Sequence, residues 1–195
     1  MIPRFAILLL FIHHSLFSFC QYEPGFYIDS AGNRVDGLLK YTYGGSIFTS
    51  KAKGDCRCLY KSDSARKAVK FTAMDIRGFV IGQDSFTVIR NYRLNSFVTY
   101  PVDFCHVIET GPIVLLQYDA IVAGGNMSSY TESSWILKKN RKIYPLTRGN
   151  YKEIMEDLMN EDSKLVEKIK NKELKFKNTP EIVHKYNMYL QKTGT

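Results

Sequence analysis

Histidine and tryptophan are scarce in this chain. Its 195 residues include 4 His and 1 Trp, and His13 and His14 both stand in the first twenty positions. Histidine is the commonest acid–base group and a frequent metal ligand. The remaining pair, His106 and His184, leaves little from which to build a Ser-His, Cys-His or zinc hydrolase centre. Since no HExxH, GxSxG, Walker or dinucleotide-binding pattern occurs either, we predict no catalytic residues, no metal site and no cofactor.

Long apolar runs are absent beyond the amino terminus. Residues 5–12 (FAILLLFI) form an apolar run behind the positive charge of Arg4, and the small residue Cys20 follows. This layout predicts a cleavable signal peptide over residues 1–20, with cleavage before Gln21. The run is too short for a bilayer, which needs about 20 apolar residues, and no later segment is long and apolar enough. We therefore predict an exported protein, periplasmic or secreted, without a transmembrane segment.

Cys20 allows a second interpretation of the leader. In a lipoprotein the cysteine at the cleavage site is acylated, and the protein is then tethered to a membrane. That processing favours a small residue just before the cysteine, where this chain has Phe19. The two interpretations predict different locations, free or lipid-anchored through Cys20.

Basic residues outnumber acidic ones, and the formal net charge is +8. A basic protein is attracted to anionic partners, and export argues against nucleic acid as the partner. The most concentrated cationic feature is a hairpin predicted around a turn at Lys139-Asn140. Its candidate binding residues are Trp135, Lys138, Lys139, Arg141 and Lys142. They could bind phosphate groups of an envelope component; the alternative is a solvated turn whose charges protect an edge strand.

Three cysteines follow the predicted leader: Cys56, Cys58 and Cys105. Cys56 and Cys58 are two residues apart in a predicted strand, so they share a face with about 7 Å between them. That spacing disfavours a bond between them, but either could reach Cys105 in an oxidising compartment. We predict a disulfide between Cys105 and either Cys56 or Cys58, with three partly buried thiols as the alternative.

Carboxylates offer the one enzymatic alternative that the sequence leaves open. Glycoside hydrolysis needs two acids that converge in a cleft. Acids in or beside the predicted strands are Asp29, Asp36, Asp75, Asp84, Asp103, Glu109 and Asp119. Most of them adjoin turns, where Asp is common because it bonds to its own backbone, and nothing in their spacing marks out a pair.

Short strands separated by turn residues predict an antiparallel β-rich domain over residues 21–146. Strands are predicted at residues 26–29, 34–43, 46–49, 56–60, 67–71, 76–81, 86–92, 102–108, 113–118, 133–137 and 141–144. The sandwich, the small barrel and the curled sheet are all compatible with this spacing. The continuous apolar run at residues 113–116 predicts a strand that is covered on both faces.

Beyond Leu146 the apolar period changes from two to 3.6, which predicts two or three short helices over residues 147–195. Asp162 or Ser163 is a candidate cap, and Thr179-Pro180 opens the last helix. Helices this short are marginal alone, so we expect them to dock on the sheet. The predicted fold class is therefore α+β, a β-rich domain followed by a helical tail.

Several short motifs resemble uncharacterised secreted proteins of Bacteroidota. Residues 24–39 (PGFYIDSAGNRVDGLL) are similar to their "GYI…GDTIxGxI" opening, and residues 71–79 (FTAMDIRGF) to an "F-x-P-x-D-I-x-G-F" segment. Residues 182–187 (IVHKYN) resemble their "IVxxYN" carboxyl-terminal helix. The resemblance implies an exported β-rich protein with a helical tail, and no catalytic residues come with it.

Together these observations predict a non-enzymatic binding or structural protein of the cell envelope. Its expected partner is an anionic envelope component or another envelope protein. The alternative is a carboxylate-based hydrolase that acts on envelope or extracellular glycans.

Overall fold

The computed structural model describes residues 22–42, 56–62, 65–93, 99–123 and 129–194. The predicted signal peptide, residues 1–20, and the strand predicted at residues 46–49 lie outside these ranges. Within them, no helix has both the length and the apolar character needed to cross a membrane.

The described chain contains ten strands in one antiparallel sheet, followed by three α-helices, which confirms the predicted α+β class. The strands are β1 Glu23–Asp29, β2 Arg34–Thr42, β3 Arg57–Lys61, β4 Val69–Phe71, β5 Ile76–Ile81, β6 Asp84–Arg93, β7 Thr99–Glu109, β8 Val114–Ala123, β9 Ser129–Lys139 and β10 Lys142–Leu146. Their order across the sheet is β10-β9-β8-β7-β6-β5-β1-β2-β3-β4. Nearly all neighbours in space are neighbours in sequence, as expected for strands joined by short turns.

The helices are α1 Tyr151–Leu158, α2 Ser163–Lys170 and α3 Thr179–Thr193, with a 3₁₀ turn at Phe176–Asn178. Asp162 caps α2 by accepting a hydrogen bond from the backbone N–H of Leu165 at 3.0 Å. Pro180 occupies the first turn of α3, and Gly194 ends that helix in the left-handed conformation with φ 72°. Local signals therefore mark the start of α2 and both ends of α3.

The sheet curls back on itself. In the strand order, β3 lies five positions from β7, which would be about 24 Å in a flat sheet. Cys56, immediately before β3, nevertheless donates hydrogen bonds from its backbone N–H and its thiol to the carboxylate of Asp103 on β7. Such a contact requires the accumulated twist of the intervening strands, so the molecule has a curled sheet, one of the three predicted forms.

Aromatic side chains fill one cluster inside the curl. Phe79 on β5 is stacked on Phe86 with ring centroids 4.5 Å apart, and its edge contact with Phe104 spans 5.0 Å. Tyr27 on β1 lies 4.7 Å from Phe71 on β4. Aromatic pairs of this kind add to the free energy gained by burying their area, so cross-strand ring contacts stabilise the curled half.

Aliphatic side chains fill the second large cluster, where the helices pack on β8–β10. Ile113, just before β8, and the strand residues Leu115 and Leu137 are fully buried against Ile182 and Val183 of α3. Leu116, next to Leu115, is buried in a different cluster on the opposite side of the sheet. The run at residues 113–116 is therefore covered on both faces, as predicted.

Candidate functional site

The basic hairpin forms where the sequence predicts it, with its turn one residue later. We predicted a turn at Lys139-Asn140, but Lys139 pairs with Lys142, so the turn residues are Asn140 and Arg141. Their φ angles of 50° and 67° belong to a type I′ turn, which matches the right-handed twist of the two strands. The prediction was wrong by one residue because Asn tolerates positive φ at either turn position.

The predicted binding residues divide between two faces of the hairpin. Trp135 packs partly buried against the core beneath the helices, so it does not extend the basic surface. Lys139 lies on the same face as Trp135 because alternate residues of a strand point the same way. Lys138, Arg141 and Lys142 are exposed.

Lys139 is a structural anchor for the helical tail. Its Nζ donates to the carbonyl oxygen of Leu158 at 2.7 Å and to the hydroxyl of Tyr186 at 3.2 Å. Glu161 accepts from the Tyr186 hydroxyl at 2.6 Å and lies 3.6 Å from Lys139. This hydrogen bond from Tyr186 is the main reason that the pKa of Glu161 is lowered. The network ties β9 to the end of α1 and to α3, so Lys139 connects the hairpin to the helical tail.

The three exposed cations at the tip have no acidic partner within the described residues. Lysines of the helical tail, by contrast, do have acidic partners. Lys185 pairs with Glu181, and Lys152 pairs with Glu156. Lys138, Arg141 and Lys142 form none of the ion pairs found in the described chain. The tip therefore carries three uncompensated positive charges within five residues of sequence.

A second candidate site is buried where β7 and β8 separate. The pairing of these strands covers only His106 to Glu109 of β7. Just before this stretch, Asp103 is 1% exposed and accepts from its neighbour's backbone N–H, that of Phe104, at 2.8 Å. The hydroxyl of Tyr118 donates to the same carboxylate at 2.9 Å, and Cys56 also donates to it. This cluster joins β3, β7 and β8.

Burial dominates the protonation of the Asp103 cluster. It raises the pKa of Asp103, although the hydrogen bonds from Phe104, Tyr118 and Cys56 act in the opposite direction. Burial, followed by the nearby charge of Asp103, raises the pKa of the Cys105 thiol well above its usual value. A thiol protonated in this way is a poor nucleophile, so the folded cluster does not provide an activated cysteine.

All three cysteines are buried, and all three sulfurs are thiols in the structure. The disulfide that we predicted, Cys105 with Cys56 or Cys58, is therefore not formed in it. Burial alone raises the pKa of Cys58 to about 12. Cys56 and Cys58 differ in their surroundings, since Cys56 contacts Asp103 while Cys58 is paired with Tyr41 and Phe71.

The two histidines have carboxylate partners at the surface. His106 Nε2 lies 3.1 Å from Asp84 and its ring stacks on Phe86 with centroids 5.0 Å apart. His184 Nδ1 lies 3.1 Å from Glu109. They belong to different elements, β7 and α3. Within the described ranges, no group of three or more His, Cys, Asp or Glu could hold a metal ion.

The other predicted acids are engaged with neighbouring polar groups. Asp29 accepts from the backbone of Gly32 and Asn33, Asp36 pairs with Arg34, Asp75 accepts from Thr72, Asp84 and Glu109 contact the histidines, and Asp119 accepts from Gln117 and Ser133. Cavities of about 460 and 560 Å³ beside α2 are lined by different acids, Glu161 and Asp162 in one and Glu156 and Glu167 in the other. The hydrolase alternative stays a prediction.

Asp103 is the residue whose role sequence reasoning missed. It was one of seven candidate acids, but its partners lie 15 and 47 residues away. One signal was available: Asp103 and Cys105 are two apart in an apolar strand and so share a face.

Comparisons with protein-family models, with curated proteins and with solved structures find no match for this chain. The resemblance to secreted Bacteroidota proteins therefore stays a prediction, and the geometry carries the functional argument.

Proposed function

We propose that this chain is an exported, non-enzymatic binding protein of the cell envelope, and that the tip of the β9–β10 hairpin binds an anionic envelope component. The observation that carries the proposal is the set of three exposed cations, Lys138, Arg141 and Lys142, without acidic partners in the described chain. The leader at residues 1–20 supports export, and the net charge of +8 supports an anionic partner.

The hairpin is a suitable scaffold for such contacts. The I′ turn sets the backbone at Asn140 and Arg141, and Lys139 ties the adjacent strand to α1 and α3. Holding three charges on a fixed backbone reduces the entropy lost on binding. Guanidinium and ammonium groups together suit phosphate, which Arg binds through two parallel hydrogen bonds and Lys as a point charge.

The decisive experiment removes the three tip charges and compares the result with an equal charge change elsewhere. The variant Lys138→Gln/Arg141→Gln/Lys142→Gln should lose affinity for immobilised lipopolysaccharide, a phosphate-bearing envelope glycolipid, by about 100-fold. This figure assumes about 1 kcal/mol per cation and about 1.4 kcal/mol per tenfold in affinity. The measurement is the dissociation constant at low salt, repeated as salt is raised to screen the charges.

The matched control carries three Gln substitutions at exposed lysines of the tail, Lys164, Lys177 and Lys192. It has the same net charge as the tip variant, so it should lose much less affinity if the tip is the site. Equal losses in both variants would show that binding follows net charge alone. An absence of salt-sensitive binding by the wild-type chain would end the proposal.

Export is tested separately, by mass spectrometry of the amino-terminal peptide after expression in a secreting host. Gln21, or its cyclised form, at the terminus supports a free exported protein. An acylated Cys20 supports the tethered form. Intact Met1 on protein recovered from the cytosol would contradict export.

A further inference from the structure

One edge of the sheet combines exposed cations with exposed apolar side chains. Strand β4, Val69–Phe71, is the last in the strand order, so one side of its backbone has no neighbouring strand within the described chain. We call residues 65–74 (ARKAVKFTAM), which contain this strand and the turns that flank it, the β4 edge. Its cations are Arg66, Lys67 and Lys70, and it contains no acid, so its formal charge is +3.

The three cations of the β4 edge are exposed. They form none of the ion pairs found among the residues that the structure describes. The described acid nearest in sequence is Asp75, whose carboxylate accepts from Thr72 and interacts with the charge of Arg57. The positive charge of the β4 edge is therefore available to an external anion.

Two large apolar side chains are exposed among these cations. Val69 is 50% exposed and Met74 is 67% exposed. In the rest of the described chain, Met188 at 39% is the other exposed large hydrophobic residue. Two of three such residues therefore lie within one short segment, next to its cations.

The turn after β4 fixes the backbone that carries Met74. The Met74 backbone N–H donates to the Thr72 hydroxyl at 3.1 Å, and the backbone N–H and hydroxyl of Thr72 each donate to Asp75 at 2.7 Å. Ala73, the residue before Met74, is 4% exposed and packs in the aromatic cluster. A side chain held out from a fixed backbone loses less entropy when it binds a partner.

Protection of the sheet edge accounts for only half of this arrangement. Charged side chains on an edge strand prevent pairing with other chains, which is a sufficient role for the three cations. Exposed apolar side chains have the opposite effect, so Val69 and Met74 need another explanation. Apolar and cationic side chains together suit the surface of an anionic bilayer, where the former enter the boundary of the acyl chains and the latter contact headgroup phosphates.

We propose that the β4 edge docks the protein on the surface of an anionic lipid bilayer. Val69 and Met74 enter the boundary between headgroups and acyl chains, while the three cations bind phosphate groups around them. Which membrane it meets in the cell depends on the proposed export. The docking itself does not depend on the hairpin tip, which belongs to the opposite end of the strand order.

Two matched methionine variants test the apolar part of the proposal. The purified full chain is sedimented with vesicles of equal parts phosphatidylglycerol and phosphatidylcholine, and the dissociation constant is measured. Met74→Gln should weaken binding several-fold, whereas Met188→Gln, the same substitution at the other exposed methionine, should leave it unchanged. Neither variant alters the net charge, and all variants carry the same amino terminus, so a contribution from the leader cancels.

The double variant Val69→Thr/Met74→Gln should lose about tenfold in affinity, and added salt should not remove the difference because salt screens charge only. Thr keeps the β-branched shape that suits a strand. Thermal unfolding of the double variant should match that of the wild type, which shows that the fold is intact. Equal vesicle binding by the double variant and the wild type would overturn the proposal.

The charge part is tested with Arg66→Gln/Lys67→Gln/Lys70→Gln. It should lose about 100-fold at low salt, and the tail variant with Gln at Lys164, Lys177 and Lys192 should lose much less. Equal losses in these two variants would overturn the proposal, because binding would then follow net charge alone.

Heparin, a soluble sulfated glycan, distinguishes a bilayer from a polyanionic chain. Val69→Thr/Met74→Gln should bind heparin as the wild type does, while its vesicle binding falls. An equal loss on heparin and on vesicles would contradict insertion into a bilayer. The tip variant Lys138→Gln/Arg141→Gln/Lys142→Gln should lose no more vesicle binding than the tail variant, so failure of the hairpin site and failure of the β4 edge are separate results.

Discussion

Two buried polar side chains hold the two ends of the sheet, and they do so in different ways. In the helix-covered end, Asn187 of α3 is 1% exposed and neutral. Its amide accepts from the backbone N–H of Ile113 at 3.0 Å and donates to the carbonyl of the same residue at 2.8 Å. In the curled end, Asp103 is equally buried but is a carboxylic acid, and all of its contacts are donors.

The two side chains differ in charge and in how well their donors and acceptors are matched by partners. Asn187 matches a donor and an acceptor with one of each, so its burial costs little. Gly111 makes this fit possible, since a Cβ there would lie 2.7 Å from the Asn187 amide. If Asp103 is ionised, it carries a buried charge. If it is protonated, its own proton faces groups that are themselves hydrogen-bond donors. The contact that Asn187 makes is therefore independent of pH, whereas the contacts of Asp103 depend on its protonation.

The largest effect is expected at Asn187. Asn187→Ala should lower the free energy of unfolding by about 3 kcal/mol, because it leaves both backbone groups of buried Ile113 without their partner. His184→Ala is the matched control on the same helix, since His184 pairs with Glu109 at the end of β7 but is 58% exposed. It should cost about 0.5 kcal/mol or less. Urea unfolding of both variants measures the difference, and equal losses would contradict the assignment.

Asp103 should give a smaller effect that depends on pH. Its pKa is higher in the folded chain than the value of about 3.9 expected when unfolded. The folded state then binds the proton more tightly, so the wild type should lose stability relative to Asp103→Asn as pH rises from about 4 through the folded pKa. The loss is about 1.4 kcal/mol per pKa unit. The unfolding midpoints of the wild type and of Asp103→Asn should be similar at low pH and should diverge as pH rises through this range.

Asp75 is the control of opposite sign. The backbone and hydroxyl of Thr72 donate to its carboxylate and lower its pKa. Its contribution is present above the unfolded pKa of about 4 and is lost as pH falls through the folded value. Asp75→Asn should therefore be less stable than the wild type at neutral pH and match it in acid. If the stability of both Asp variants, relative to the wild type, changed with pH in the same direction, the contrast between Asp103 and Asp75 would be contradicted.

The smallest effect separates adjacent lysines of the hairpin. Lys139→Met should cost about 1 kcal/mol, because it removes the donor to the Leu158 carbonyl and to the Tyr186 hydroxyl. Lys138→Met, at the exposed neighbouring position, should stay within about 0.5 kcal/mol of the wild type. Thermal unfolding at one pH compares them, and an equal loss would contradict the division of the hairpin into an anchoring and an exposed face.

The sequence predicted the elements more closely than it predicted the surroundings of the candidate site residues. Strand β5 was predicted with its exact bounds, Ile76–Ile81, because alternation and the flanking turn residues are local signals. The basic residues of the hairpin were found, but Trp135 and Lys139 proved to face the helical tail. Period-two alternation could have separated Lys138 from Lys139; it could not show which face the helices cover, since both faces of β9 carry apolar residues.

By itself, the sequence determined the type and order of the elements, the Asp162 cap of α2 and the leader-like amino terminus that predicts export. These depend on interactions between residues a few positions apart. Only the tertiary structure decided that Cys56 meets Asp103, that Asn187 reaches Ile113, and which cations remain exposed. Contacts of this kind depend on twist accumulated over several strands and on the docking of helices, and no local pattern encodes that sum.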